Sequence, residues 1–155
     1  MADVGGPLVG GSGDDLVMGD ARQLSAGIDN YSNSGSFALK GNGGNDILVG
    51  DLYIPNGDTE GDELRGGDGD DRLYGDTAPD LTAFGFTTIW DGDPNWDKRA
   101  TGSADKLYGE GGNDIIYGGS GLDTLSGGTG DDQLFGQNDA DILDGGDGLD
   151  RISCG

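Results

Sequence analysis

Aspartate recurs in this chain at a spacing that only a repeat explains. Ten side chains, Asp15, Asp46, Asp62, Asp71, Asp105, Asp114, Asp123, Asp132, Asp141 and Asp150, each stand two residues before an aliphatic residue. The last six follow one another at intervals of nine residues. A carboxylate is a hard oxygen ligand, and a regular series of them is chemistry for a cation bound by oxygen. The rest of the composition narrows the choice. There is no His and one Cys, Cys154, so the chain has no imidazole ligand, thiolate cluster or intramolecular disulfide. It also lacks the Ser-His-Asp and Cys-His arrangements of nucleophilic catalysis. Carboxylates and turn carbonyls together suit Ca²⁺. Mg²⁺ fits less well, because it demands tight octahedral geometry and gives up water reluctantly.

The charge balance excludes whole classes of partner. Among 155 residues, 30 are Asp or Glu and 8 are Lys or Arg, a formal charge of −22. Such a chain does not bind nucleic acid through phosphates, nor an anionic membrane surface. No stretch approaches the roughly 18 apolar residues of a membrane span. The opening MADVGGPLVGG lacks the basic and apolar regions of a signal peptide. Of the 30 acids 27 are Asp, and 35 residues are Gly, a composition for turns rather than helices. High charge with 32% apolar residues also describes a disordered chain, and that state is expected without the cation.

The order of residues sets the elements. Nine-residue units run without a gap from 100 to 153, and four more stand at 10–18, 41–49, 57–65 and 66–74. Position 6 is always Asp. Position 8 is always aliphatic: Val17, Leu48, Leu64, Leu73, Leu107, Ile116, Leu125, Leu134, Leu143 and Ile152. Positions 1 to 5 are rich in Gly, Asn, Asp and Ser, which turn the chain and accept positive φ. Positions 7 to 9 favour a short strand, with position 8 facing in and its neighbours out. Stacked units predict an all-β fold of two parallel sheets over a thin aliphatic core. Stacking also draws the Asp carboxylates into columns whose like charges repel, so a cation must neutralise them.

At this point the units are recognisable. GGSGLDTLS (118–126) and GGTGDDQLF (127–135) resemble the calcium-binding nonapeptide GGxGxDxUx of RTX (repeats-in-toxin) proteins. The resemblance implies a parallel β-roll, a right-handed β-solenoid of two nonapeptides per turn, here with irregular loop insertions. It implies Ca²⁺ in the turns, between a unit and the next one on its own side. The position-6 Asp residues would supply carboxylate oxygen. Backbone carbonyls of the Gly-rich turn, including Gly112, Gly121, Gly130 and Gly148, would complete the shell. Carried over, Asp114, Asp132 and Asp150 form one column and Asp105, Asp123 and Asp141 the other. The second column departs from the pattern at Ala100, Ser103 and Asp139, so tighter binding is expected in the first, with Asp139 a candidate added ligand.

Three interruptions divide the chain into interrupted repeats at 1–76, an aromatic-rich insertion at 77–99 and contiguous repeats at 100–155, one solenoid overall. Departures at 19–40, 50–56 and 75–99 each begin with Gly-Asp, and Asp20, Asp51 and Asp76 read as turn caps or as extra ligands. The 77–99 insertion holds Phe84, Phe86, Trp90 and Trp96, which either fold back over the roll or form a binding surface. Asp91, Asp93, Asn95 and Asp97 alternate as in an EF-hand loop, but Trp96 stands where its Gly belongs. Cys154 reads as an incidental thiol.

The leading expectation is a monomeric, non-enzymatic Ca²⁺-binding module of a secreted, extracellular bacterial protein, exported by a type I system. RTX proteins usually carry a non-repetitive C-terminal export segment, and this chain stops at Gly155 directly after a repeat, so it reads as a fragment. The alternative is an adhesin that binds polysaccharide or a cell-surface ligand through 77–99. Paired carboxylates of a glycosidase kind abound, but the repeat accounts for them.

Overall fold

Strand-forming residues recur often enough to build a solenoid. The computed structural model describes residues 8–19, 36, 38–51, 61–76 and 104–155. It contains β1 (Leu8–Val9), β2 (Leu16–Met18), β3 (Ala38–Gly43), β4 (Ile47–Asp51), β5 (Glu63–Asp68) and β6 (Arg72–Asp76). These continue as β7 (Lys106–Gly111), β8 (Ile115–Ser120), β9 (Thr124–Thr129), β10 (Gln133–Asn138), β11 (Ile142–Asp147) and β12 (Arg151–Ser153). Odd strands form one parallel sheet in the order β1-β3-β5-β7-β9-β11, and even strands form the other, β2-β4-β6-β8-β10-β12. Each turn of the chain lays one strand in each sheet, and the fold is a parallel β-roll.

The alternation of a strand puts one aliphatic side chain per strand between the sheets. Leu39, Leu48, Leu64, Leu73, Leu107, Ile116, Leu125 and Leu134 are fully buried there, with Val17 nearly so and Leu8 and Leu143 packed at the ends. Registers keep like on like: Leu64 pairs with Leu107, Leu73 with Ile116 and Leu134 with Ile152. Ile152, on the last strand, is 53% exposed because no further strand covers it among the described residues.

The structure corrects the expected elements in two ways. The strands are longer than three residues: β7 to β11 each run from position 7 through position 3 of the next unit. The position-1 glycine therefore lies inside a strand, and only positions 4 to 6 turn the chain. Positive φ occurs at position 2, within the strand, and at position 4, in the turn, for example Glu110 (φ 77) and Gly112 (φ 129). Second, residues 38–40, expected within an insertion, open β3 and place Leu39 in the core. That strand belongs to a degenerate unit with Phe37 at the Asp position. Leu8 likewise marks a strand ahead of the first regular unit.

The three interruptions all leave from the ends of even strands and return to odd ones, at residues 19, 51 and 76. The opposite arcs, from odd to even strands, carry no insertion: six residues from β1 to β2 and three-residue turns from β3 onward. The aromatic residues of 77–99, the EF-hand-like Asp91 to Asp97 and Asp20 lie outside the described residues. No helix among the described residues is long and apolar enough to cross a membrane.

Candidate metal centre

Position 6 is two residues before the core aliphatic, so strand alternation turns its side chain inward as well. Asp46, Asp62, Asp71, Asp105, Asp114, Asp123 and Asp132 are all at most 2% exposed. They form two ladders, one along each edge of the roll. On the uninterrupted edge, the Asp15 N–H donates to Asp46 Oδ1 (2.8 Å), Asp46 to Asp71 (2.8 Å) and Asp71 to Asp114 (2.8 Å). The same ladder continues from Asp114 to Asp132 (2.8 Å) and from Asp132 to Asp150 (3.1 Å). On the interrupted edge, Asp62 donates to Asp105 (2.7 Å), Asp105 to Asp123 (2.8 Å) and Asp123 to Asp141 (3.0 Å).

One oxygen of each carboxylate is thus used, and the other decides the chemistry. Oδ2 of Asp46, Asp71, Asp114, Asp123, Asp132 and Asp141 is buried without a hydrogen-bond partner. A buried anionic oxygen left unpaired is costly, so it marks a place for a cation. The space in front of it is specific. Asp114 Oδ2 and the Gly127 carbonyl oxygen, one rung on, converge above Gly109, in contact range of where a Cβ would sit. Asp71 with the Gly109 carbonyl above Gly66, and Asp132 with the Gly145 carbonyl above Gly127, repeat the arrangement. On the other edge, Asp123 Oδ2 and the Gly136 carbonyl converge above Gly118. Position 1 is glycine because any side chain would fill this oxygen cradle. The donor set is carboxylate plus carbonyl oxygen, which fits Ca²⁺.

Electrostatics point the same way. Burial pushes the Asp114 and Asp123 carboxyls up to about 7 and Asp71 up to about 6, with neighbouring carboxylates adding to the rise. Burial also raises Asp46 and Asp132. In each case the N–H from the adjacent rung opposes the shift without cancelling it. A charge held in this way lacks a counter-ion.

The position-4 glycines stand elsewhere in the arc. Gly112, Gly130 and Gly148 stack at positive φ, each with its Cα face against the carbonyl oxygen of the glycine one rung before. Gly121 has the same backbone conformation on the other edge. A candidate donor that sequence reading did not name is the carbonyl of position 1; its signal was the near-invariant glycine there. Asp139, at φ 75 in place of a glycine, accepts the Gly121 N–H at 3.3 Å and so bridges rungs. Asp76 accepts the Ser120 N–H at 2.9 Å. Outside the Asp ladder of the uninterrupted edge runs a second one at position 5. There Asp14, Asn45, Asp70, Asn113 and Asp131 each accept the backbone N–H of the next rung at 2.8 to 2.9 Å. Alternating Asp with Asn leaves three carboxylates among these five residues and so lowers the charge of that column. Beside it a groove of about 660 Å³ opens between the ladder and Leu16, Ile47 and Ile115.

The family described as RTX calcium-binding nonapeptide repeat (4 copies) matches residues 8–21, 39–52, 56–80, 99–125 and 117–152, more than half of the chain. No curated protein and no solved structure matches it.

Proposed function

Because the chain belongs to the RTX calcium-binding nonapeptide repeat family, whose repeats bind Ca²⁺ in a β-roll, we propose that it is a module whose folding is driven by Ca²⁺ outside the cell. In this reading Asp15, Asp46, Asp62, Asp71, Asp105, Asp114, Asp123, Asp132, Asp141 and Asp150 supply carboxylate oxygen. The turn backbone supplies the rest: the position-1 carbonyls facing the cradles, and those of Gly112, Gly121, Gly130 and Gly148. The observation that carries it is the unpartnered buried Oδ2 of Asp46, Asp71, Asp114, Asp123, Asp132 and Asp141. Bound Ca²⁺ supplies positive charge to the ladders, and its binding free energy becomes folding free energy. Where Ca²⁺ is scarce the carboxylates repel and the chain stays expanded, a state suited to export. The module belongs to a larger secreted bacterial protein.

The test is far-UV circular dichroism during a CaCl₂ titration beside a parallel MgCl₂ titration. A coil spectrum that turns β-like with Ca²⁺ but not Mg²⁺ is the expected result, with the midpoint raised in Asp132→Ala. A β-like spectrum in chelator that ignores Ca²⁺ would sink this reading.

A second reading is a surface- or polysaccharide-binding module presented through 77–99. The departure of all three interruptions from one edge favours it, since their attachment points at 19, 51 and 76 lie on successive rungs. It predicts a change in tryptophan fluorescence when sugars are added to the Ca²⁺-loaded chain.

A further inference from the structure

Near-identical rungs raise a question of pairing. The rungs of the C-terminal half are joined to their neighbours by three-residue arcs, and contacts across them span 18 residues. Between the third rung (β5 and β6) and the fourth (β7 and β8), the chain makes its longest excursion, and the equivalent contacts span 43 residues. Local connection cannot choose the partner there. Strands β4 to β12 all offer a core Leu or Ile with an Asp two residues before it, so backbone and core do little to reject a wrong neighbour.

The outer face of the odd sheet distinguishes the right one. Glu63 stands opposite Lys106, and Arg65 opposite Tyr108. Arg65 Nη1 bonds Glu110 Oε1 across the joint at 3.0 Å, and its Nε is held by Glu63 Oε1 at 2.9 Å. The guanidinium carbon lies 4.7 Å from the centre of the Tyr108 ring. Wrong pairings lose all of this. With β9 on β5, Thr124 would face Glu63, Ser126 would face Arg65 and Gly128 would replace Glu110. With β7 on β3, Lys106 would face Ala38 and Tyr108 would face Lys40, and Arg65 would have no place. The even sheet discriminates less. Tyr74 stacks on Tyr117 at 5.2 Å, but Phe135 of β10 stacks on Tyr117 in the same way and could stand in for it.

We propose that the third and fourth rungs form a Ca²⁺-clasped docking joint, selective for each other, with Arg65 and Glu110 as its specificity determinants. The clasp rests on the Ca²⁺ reading above: the ladder pairs Asp62–Asp105 and Asp71–Asp114 close the joint on the two edges. The partner each face fits is the other half of this chain, and the joint holds when the covalent link between them is cut.

The experiment uses the full chain with one specific-protease site placed within 77–99. It is cleaved in millimolar Ca²⁺ and run on size-exclusion chromatography. The halves are expected to co-elute with Ca²⁺ and to separate in EGTA. Arg65→Glu should weaken the cleaved complex about tenfold, through loss of the one exposed ion pair and the cation–π contact that cross the joint and through new repulsion from Glu110. Glu110→Arg added to Arg65→Glu should restore much of that loss, a rescue that a merely structural role would not give. Halves that separate in Ca²⁺, while the uncut chain still folds on Ca²⁺, overturn the joint and leave the Ca²⁺ reading standing. An Arg65→Glu complex as tight as the parent, or one that the charge swap does not rescue, removes the specificity role. An uncut chain with no response to Ca²⁺ overturns both.

Discussion

Glycine at position 1 shows how one missing atom makes a binding place. Gly127 has an ordinary strand backbone, so its lack of a side chain matters only for space. Asp132 Oδ2 and the Gly145 carbonyl occupy that space from two sides. Gly43 is a useful contrast: it lies near the end of β3, and nothing comes within contact distance of where its Cβ would be. Gly127→Ala should therefore raise the Ca²⁺ midpoint of folding about tenfold, a loss of ~1.4 kcal/mol of binding. Gly43→Ala should stay within about 0.5 kcal/mol of the parent. Isothermal titration with Ca²⁺ on both variants checks the pair, and equal effects would remove the cradle as the reason for glycine.

Strands here are the unit of both core and site. Strands β4 to β11 each carry, on the inward face, an Asp just before the start, an aliphatic in the middle and a glycine that faces the next Asp. A strand therefore contributes to folding even where its unit has lost the Asp. β3 is the example, with Phe37 at the Asp position and Leu39 fully buried between its neighbours. Leu39→Ala should cost about 2–5 kcal/mol. Ile152→Ala, on the open last strand, should cost about 1 kcal/mol or less, because roughly half of that side chain is already in water. Thermal denaturation in saturating Ca²⁺ compares the two. A silent Leu39→Ala would mean that β3 adds nothing to the roll.

At the scale of the molecule, net charge and buried carboxylates make protons and Ca²⁺ alternative ligands. Asp71, Asp114 and Asp123 hold their protons up to about 6, 7 and 7 in the roll, against 3.8 for the ordinary group. Between those limits the folded chain binds protons that the unfolded chain has lost. Its metal-free stability therefore falls as pH rises from about 4 to about 7 and is regained on acidification. Ca²⁺ requires the same oxygens deprotonated, so its apparent affinity falls as pH drops through that window. Circular dichroism in EGTA should show β structure gained near pH 4 to 5 and lost near pH 7. The Ca²⁺ midpoint should meanwhile move to higher concentration below pH 7. A metal-free chain equally unfolded across this range would count against buried ladders.

The periodic part of this design was legible in order alone. Aspartate followed two places later by an aliphatic, repeated every nine residues, specifies which side chains face in, and that parity survives whatever the turns do. The ladders of Asp114, Asp132 and Asp150, and of Asp105, Asp123 and Asp141, follow from two units per coil, which the resemblance to RTX repeats implied and the strand order of the two sheets shows. Three things required the tertiary structure. The strand under Leu39 lies in a unit without its Asp, and only pairing with β5 reveals it. The position-1 carbonyls become ligand candidates only when the next rung lies over the glycine, because a main-chain oxygen has no sequence signature. The choice of β7 as the partner of β5 rests on Arg65 meeting Tyr108 and Glu110, 43 and 45 residues further along the chain. Repetition determines what kind of neighbour each strand takes; non-repeating side chains on the outer face decide which one.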